Sequence, residues 1–238
     1  MKKGIPPHNC QEQSTKACVL RVPIFNHLEP HQLDEIMSAT RSVGYTKGEL
    51  INRAGDPSDM LSIVNAGKVK IYRLSESGKE QLVRILAPGD FSGELALFRE
   101  SVHESYSVAM EDTQICTITR PDLQAFLLKY PTIALKILAE FSRRLEASEK
   151  QTTLVSTEKV EKRLALYLIE CLEQEGAATE LTLPMSKKNL ASYLGTTPET
   201  ISRKLVEFEN AGFIRQKARR RIEILNLDGL RAGITIRL

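Results

Sequence analysis

Glycines recur at almost regular intervals in the first half of this 238-residue chain. Gly55, Gly67, Gly78 and Gly89 are separated by 12, 11 and 11 residues. Between them lie short runs, such as residues 69–72, in which apolar and polar side chains alternate as in half-buried antiparallel strands. Many short strands at turn spacing predict a β-roll, jelly roll or barrel. We expect this β region at about 43–119, after a short helix near 30–40.

A helical period begins at position 131 and continues for about 25 residues without an internal Gly or Pro. One face of this predicted helix has the alternating three- and four-residue spacing of a coiled coil. Its residues are Leu138, Phe141, Leu145, Ser148, Thr152 and Val155. Charged residues surround the face, so we favour a helix that pairs with its twin in a homodimer. The alternative is a helix that packs on its own β domain.

The strongest local signal lies at residues 186–210, which predict a helix, a short turn and a second helix. Ser186 can cap the first helix, and Gly195 can end it in a left-handed turn. Thr196 or Thr197 can cap the second helix, with Pro198 in its first turn. The buried stripe of the second helix is predicted to be Ile201, Leu205 and Phe208.

The solvent face of the second helix carries Glu199, Ser202 and Arg203 near its start. Arginine can donate two hydrogen bonds to guanine, glutamate can accept one from cytosine, and serine can do either. These residue types in this position predict contacts to base edges in a DNA major groove. The alternative is an ordinary surface ion pair, because Glu199 and Arg203 are four residues apart.

Positive charge is concentrated around this segment. The whole chain has a net charge of +3, whereas residues 185–221 contain nine cations and three anions, a net charge of +6. Residues 212–225 predict a two-stranded wing with a basic tip, and such a frame can bind phosphates. The predicted DNA-binding residues are Glu199, Ser202, Arg203, Lys187, Lys188, Thr197, Lys204, Lys217 and Arg219.

Two segments together resemble the CRP/FNR family of bacterial transcription regulators, and the likeness covers nearly the whole chain. Residues 88–97 (PGDFSGELAL) are similar to the family's β-roll core, and residues 190–205 (LASYLGTTPETISRKL) to its helix-turn-helix. The Glu-x-x-Ser-Arg arrangement is similar to the FNR branch. That resemblance implies a homodimer that reads a palindrome of TTGAT-type half-sites, with RNA polymerase as a further partner.

The resemblance implies an α+β fold with four parts. We expect a cysteine-containing arm at 1–28 and a sensory domain at 29–130, an antiparallel β-roll or jelly roll similar to cyclic-nucleotide-binding domains. A dimerisation helix at 131–156 and a winged helix-turn-helix domain at 157–238 follow.

Cyclic AMP is not the expected ligand. In the family's cyclic-nucleotide branch, an Arg-Ser pair 11 and 12 residues after the Gly of a Gly-Glu-Leu motif binds the cyclic phosphate. Gly93 and Glu94 are present here, but the pair is replaced by Glu104 and Ser105. A carboxylate repels a phosphate and removes the charge-assisted contact. A regulator that responds to another small ligand remains the alternative to redox control.

Three cysteines are candidates for a sensory role. The arm containing Cys10 and Cys18 resembles that of FNR, and Cys116 falls where that family has a cysteine in its β domain. Since three of four cluster ligands match, the chain most resembles the FNR-like proteins of Gram-positive bacteria, which implies a thiol/disulfide switch. A zinc or iron–sulfur site and an inert buried Cys116 stay open. Cys171 lies on the apolar side of a predicted helix, which indicates core packing.

The sequence does not indicate an enzyme, since it contains no Cys-x-x-Cys, no His-x-x-x-His and no nucleophile motif. It also has no apolar run of membrane-spanning length and no apolar signal core. We therefore expect a cytoplasmic protein whose partners are double-stranded DNA and its own second copy, with no membrane partner.

Overall fold

The structure is a computed structural model, and it describes residue 19 and residues 22–94, 101–176 and 179–232. The chain divides into two compact units, Met1–Arg144 and Leu145–Leu238. A long helix, Pro131–Thr157, runs through the division. None of the helices in the described ranges is long and apolar enough to cross a lipid bilayer.

The first unit is built from short antiparallel strands, as the glycine spacing predicts. Its described strands are β1 (Arg41–Tyr45), β2 (Leu50–Asn52), β3 (Pro57–Ser58), β4 (Met60–Ala66), β5 (Val69–Leu74), β6 (Glu80–Leu86), β7 (Phe91–Ser92), β8 (Ser101–Val102), β9 (Tyr106–Ala109) and β10 (Thr113–Thr119). Two four-stranded sheets have the orders β1-β10-β4-β7 and β2-β9-β5-β6, and β3 pairs with β8. All four of the spaced glycines have positive φ, so they supply the left-handed turns between strands.

In the described ranges, three bounded helices accompany these sheets: α1 (Pro30–Ser38), α2 (Arg120–Lys129) and α3 (Pro131–Thr157). Ile133 and Ile137 of α3 are buried in the same core cluster as Leu61, Ile63 and Ile118 of the sheet. The helix therefore packs on its own β unit through its first two turns. The start of α3 thus agrees with the alternative prediction, a helix that packs on its own β domain. The rest of α3 is largely exposed.

The core of the β unit begins before position 29. Val19, Val22, Ile24 and Phe25 are fully buried in the cluster that also contains the β-sheet residues. The last described residues of the segment predicted as an arm, 1–28, thus belong to the core. Cys10 and Cys18 lie outside the described residues.

The second unit contains the predicted helices and a small sheet. After α3 come α4 (Val160–Glu175), β11 (Glu180–Thr182), α5 (Lys187–Tyr193), α6 (Pro198–Asn210), β12 (Ile214–Gln216), β13 (Arg221–Ile224) and α7 (Leu227–Ala232). The sheet has the order β11-β13-β12, so the predicted two-stranded wing has a third strand. A strand of three residues is too short for its alternation to be recognised in a sequence.

Candidate nucleic-acid interface

The helix-turn-helix is formed by α5 and α6, and its ends use the predicted caps. The Ser186 hydroxyl accepts a hydrogen bond from the backbone N–H of Asn189 at 3.2 Å. The Thr197 hydroxyl accepts one from the backbone N–H of Thr200 at 3.3 Å. Each hydroxyl satisfies an N–H that has no partner within its own helix. The start and direction of both helices are therefore fixed by local sequence.

The turn between the two helices needs glycine for two reasons. Gly195 has a φ of +65°, and a Cβ there would lie 3.2 Å from Val155 Cγ1 and 3.3 Å from Arg163 Nη1. Arg163 is buried and donates from Nη1 to the Leu194 carbonyl, and Gln151 Nε2 donates to the Tyr193 carbonyl at 3.1 Å. The end of α5 is thus held by side chains from α3 and α4, which sequence analysis did not identify.

The predicted reading face of α6 is exposed to solvent. Ile201, Leu205 and Phe208 are buried on the opposite side, as predicted. The Arg203 side chain is 69% exposed, and its Nε lies 3.8 Å from a carboxylate oxygen of Glu207, not of Glu199. Such a loose surface pair contributes about 0–1 kcal/mol, so it leaves the guanidinium available for another acceptor.

Glu199 is held in its ionised form at the start of α6. Its pKa is below the usual value because its own backbone N–H and then the Thr197 hydroxyl donate to the carboxylate. A carboxylate that keeps its charge is a hydrogen-bond acceptor only, which suits the amino group of cytosine.

Contacts within the unit define both edges of this face. On one side, the Lys204 ammonium lies 3.2 Å from Glu161 of α4 and 2.5 Å from Glu207. On the other side, Glu209 accepts hydrogen bonds from the backbone N–H and the side-chain amide of Gln216 at 2.7 and 3.1 Å. Lys204, predicted to bind DNA, is therefore engaged in holding α6 against α4.

The wing is only partly available to an anion. Lys217 pairs with Glu180 at 2.7 Å and with Glu223 at 3.3 Å, and Arg221 pairs with Glu180 at 3.2 Å. Arg219 and Arg220 are exposed at the tip, and within the described ranges their side chains make no ion pair. The tip charge therefore comes from Arg219 and Arg220 rather than from Lys217.

Two lysines lie in the first turn of α5, the first helix of the motif. Lys187 Nζ donates to the side-chain oxygen of Gln216 at 3.1 Å, a neutral partner that leaves its charge uncompensated. Lys188 is exposed, and no ion pair of it occurs with the described residues. The positive charge around the reading face is thus carried by these two lysines and the wing tip.

Comparison with known proteins agrees with this geometry. The chain matches the cyclic nucleotide-binding domain over residues 42–130 and the Crp-like helix-turn-helix domain over residues 162–232. It is 34% identical over 214 residues to a probable transcriptional regulator, flp, of Lacticaseibacillus casei, across 90% of this chain and 96% of that protein. The chain belongs to the CRP/FNR family of transcription regulators.

This CRP/FNR regulator is similar to two further proteins. It is 31% identical to the cyclic AMP receptor protein of Thermus thermophilus, over 81% of this chain and 88% of that protein. The solved structure of FixK2 from Bradyrhizobium japonicum has a TM-score of 0.70 and 27% identity, covering 81% of this chain and 96% of that one. The family consists of DNA-binding regulators, and the chain is not an enzyme.

In the regulator's β unit, the positions that replace the family's phosphate-binding pair hold an ion pair. Arg73 of β5 donates from Nη2 to a Glu104 oxygen at 2.5 Å and from Nε to the Ser105 hydroxyl at 3.4 Å. The guanidinium of Arg73 is thus already bound to a carboxylate. Arg73 was not identified from the sequence, because nothing in its local pattern indicates this partner.

Glu94, in the Gly-Glu-Leu motif, belongs to a second network. It lies 2.8 Å from Arg144 of α3 and 3.4 Å from Arg84 of β6, and Arg144 also binds Glu140 at 2.6 Å. Burial, followed by repulsion from Arg144, lowers the pKa of Arg84. The second oxygen of Glu94 is buried and has no hydrogen-bond partner among the described residues.

The two described cysteines are both buried. Cys116 is fully buried in the middle of the sheet, where it is paired in register with Ser42 of β1 and Ile63 of β4. Burial raises the pKa of the Cys171 thiol to about 11, with a smaller opposing effect from a hydrogen bond to Tyr167. Cys171 lies in the core of the DNA-binding unit, in agreement with its predicted packing role. Across the described ranges, no group of three or more side chains is arranged to hold a metal ion.

The face predicted to pair two copies lies along α3. Leu138 and Leu145 are each more than half exposed, and Val155 is also exposed. Phe141 is partly buried and packs against the core of its own β unit. The Thr152 hydroxyl donates to the Ser148 carbonyl at 2.9 Å, so this polar group in the face is satisfied within the helix.

Proposed function

We propose that this chain acts as a homodimeric regulator that reads a palindrome of TTGAT-like half-sites through Glu199, Ser202 and Arg203. One observation carries the proposal: α6 presents an ionised glutamate and a loosely held arginine on one exposed face. On either side of this face, Lys204 and Glu209 contact other elements of the unit. A short polar face of this kind matches the hydrogen-bonding groups of the major groove.

Phosphate contacts are assigned to Lys187, Lys188 and Arg219, together with the neighbouring Arg220 of the basic wing tip. Thr197 caps α6, and its hydroxyl donates a hydrogen bond to the Glu199 carboxylate, which orients that side chain. Lys204 and Lys217 act as positioning residues, because their ammonium groups bind carboxylates that hold α6 and the wing in place. Family membership suggests RNA polymerase as a further partner and the cytoplasm as the location.

Pairing is assigned to the exposed face of α3. Leu138, Leu145 and Val155 leave apolar surface in solvent, and a second copy of the same helix would cover it. Ser148 and Thr152 interrupt this surface, which makes the pairing weak enough to respond to a signal. A dimer with a twofold axis would present two reading helices to two half-sites.

The DNA proposal is tested by selecting binding sequences from a random duplex pool and comparing two variants on the selected duplex. Arg203→Ala should lose discrimination at one base pair per half-site, by about 1–3 kcal/mol. Lys188→Ala is the matched control, and it should weaken binding to all sequences equally while lowering the salt dependence. Unchanged base preference in Arg203→Ala would contradict the assignment.

For the signal, we propose a reversible disulfide between Cys116 and an arm cysteine, with Cys18 as the partner. Cys18 is covalently adjacent to Val19, which is fully buried in the core cluster that contains Cys116. We choose Cys18 over Cys10 because Cys18 is one residue from this cluster along the chain, whereas Cys10 is nine residues from it, and a disulfide requires Cα atoms roughly 4.4–6.8 Å apart.

The oxidation removes two electrons and two protons from the two thiols. Hydrogen peroxide takes them up to give two water molecules, and an alkyl hydroperoxide gives one alcohol and one water. Peroxide treatment followed by peptide mapping without reductant should give a Cys18–Cys116 peptide and a change in DNA affinity. Cys18→Ser should abolish both effects, and Cys10→Ser should abolish neither. An unaltered response of the Cys18→Ser variant would contradict this pairing.

An iron–sulfur cluster fits the residues less well than a disulfide. Cys116 has Ile63, Ile118 and Phe91 in its core cluster. Cys171 is packed in the other unit's core, so three cysteines remain for a cluster that takes four. We therefore derive no step through a metal.

A small-ligand sensor is the second candidate, and one observation favours it. The buried Glu94 oxygen that has no partner among the described residues would accept a hydrogen bond from a ligand hydroxyl. Cyclic AMP itself is disfavoured, because its phosphate would have to displace Glu104 from Arg73. In calorimetry, titration of the protein with cyclic AMP should give no binding heat. A saturable binding heat in that titration would support control by a small ligand instead of control by a disulfide.

A further inference from the structure

The exposed face of α6 contains one residue that is out of place on a polar surface. Val206 is 48% exposed, whereas the other large apolar residues of α6 are buried. At about 100° per residue, Val206 projects between Ser202 and Arg203 on the helix surface, one turn further along. It therefore lies in line with the reading face, one turn closer to the end of α6.

Among the described residues, the polar contacts that hold α6 in the unit lie to either side of Val206. Lys204 meets α4 through Glu161 at one edge of the face, and Glu209 meets β12 through Gln216 at the other. Val206 lies between these edges and points where Ser202 and Arg203 point. A β-branched residue also lowers helix propensity slightly at an exposed position, so the helix itself gains nothing from valine there.

We infer that Val206 reads the C5 methyl group of a thymine that flanks the base pairs contacted by Ser202 and Arg203. The thymine methyl is the apolar group that the major groove offers, and aliphatic side chains distinguish thymine by contacting it. The inference rests on the proposed DNA-reading function. It adds a determinant of sequence that is apolar rather than hydrogen-bonded.

The test uses a palindromic duplex selected by the wild-type chain from a random pool. Each thymine is replaced in turn by deoxyuridine, which lacks only the methyl group. Replacement at one thymine position in one half-site should weaken wild-type binding about fourfold, which is the effect of removing one buried methyl group. Replacement of the equivalent thymine in both half-sites should weaken it about fifteenfold. Val206→Ala should bind the thymine and uracil duplexes within twofold of each other.

Two controls keep the result interpretable. Alanine is a better helix former than valine at an exposed site, so Val206→Ala should keep the thermal midpoint of the wild type. Leu225→Ala removes another exposed aliphatic group, 46% exposed and outside α6, and should keep the wild-type response to uracil.

The possible outcomes separate the two claims. If no sequence is enriched from the pool, the proposed function fails and the role of Val206 fails with it. If a palindrome is enriched but no uracil replacement weakens wild-type binding, or Val206→Ala keeps the same sensitivity, only the role of Val206 is overturned.

Discussion

The tip of the wing combines charge with an unfavourable backbone. Arg219 and Arg220 have φ values of 58° and 66°, the signs required at both central positions of a type I′ hairpin turn. The turn is closed by the N–H of Arg221, which donates to the Ala218 carbonyl at 3.4 Å. Such turns favour Asn-Gly, and a left-handed conformation costs a residue with a Cβ about 1–2 kcal/mol.

Two substitutions of Arg220 separate the backbone cost from the charge. Arg220→Gly removes both the Cβ and the guanidinium, whereas Arg220→Ala removes the guanidinium alone. The glycine variant should therefore be more stable than the alanine variant by about 1 kcal/mol, after allowance for the greater freedom of glycine in the unfolded chain. Urea denaturation of the full chain measures this difference.

Both variants should weaken DNA binding in the same way. Each lost phosphate contact lowers the slope of log K against log salt by about 0.9, so a dimer with two wings should lose about 1.8. Titration of the selected duplex over a series of salt concentrations measures the slope. Equal stability of the two variants would refute the backbone argument, and an unchanged slope would refute contact between the tip and phosphate.

Three further outcomes are expected. The Cys171 thiol, with a pKa of about 11, should be only about one-thousandth ionised at pH 8, so iodoacetamide should alkylate it only after denaturation; rapid labelling of the folded chain would contradict its burial. Gly195→Ala should lower the free energy of unfolding by at least about 1 kcal/mol in urea, because of its positive φ and the close Val155 and Arg163 atoms. Ser148→Leu should tighten dimerisation by about tenfold or more in sedimentation, and unchanged association would argue against this face.

The parts of the site that sequence analysis predicted are those determined by neighbouring residues. Ser186 and Thr197 cap helices through N–H groups three positions away, and Gly195 ends a helix through its own φ. The burial of Ile201 and Leu205 follows from helical periodicity alone. Such features can be predicted from the sequence because the interactions involved join residues within one or two helical turns of each other.

The parts that it did not predict depend on residues far apart in the chain. Lys204 meets Glu161 across 43 positions, and Lys217 meets Glu180 across 37. A count of cations treats both lysines as available to DNA, although each is bound to a carboxylate brought near by the fold. Net charge therefore overstates the charge that a nucleic acid would meet, and the identity of the available cations requires the structure.

The junction of α3, α4 and α5 suggests why a signal in this regulator would reach the reading helix. Arg163 is buried and donates to the last carbonyl before the turn, and Gln151 donates to the carbonyl before that. The bond from Gln151 fixes α5, and with it α6, to the final turns of the helix that carries the proposed pairing face, and the bond from Arg163 fixes α5 to α4. A change in how two copies of α3 pair would then shift both reading helices together. In the proposed dimer, which reads two half-sites one helical turn apart, a small shift at this junction would change DNA affinity.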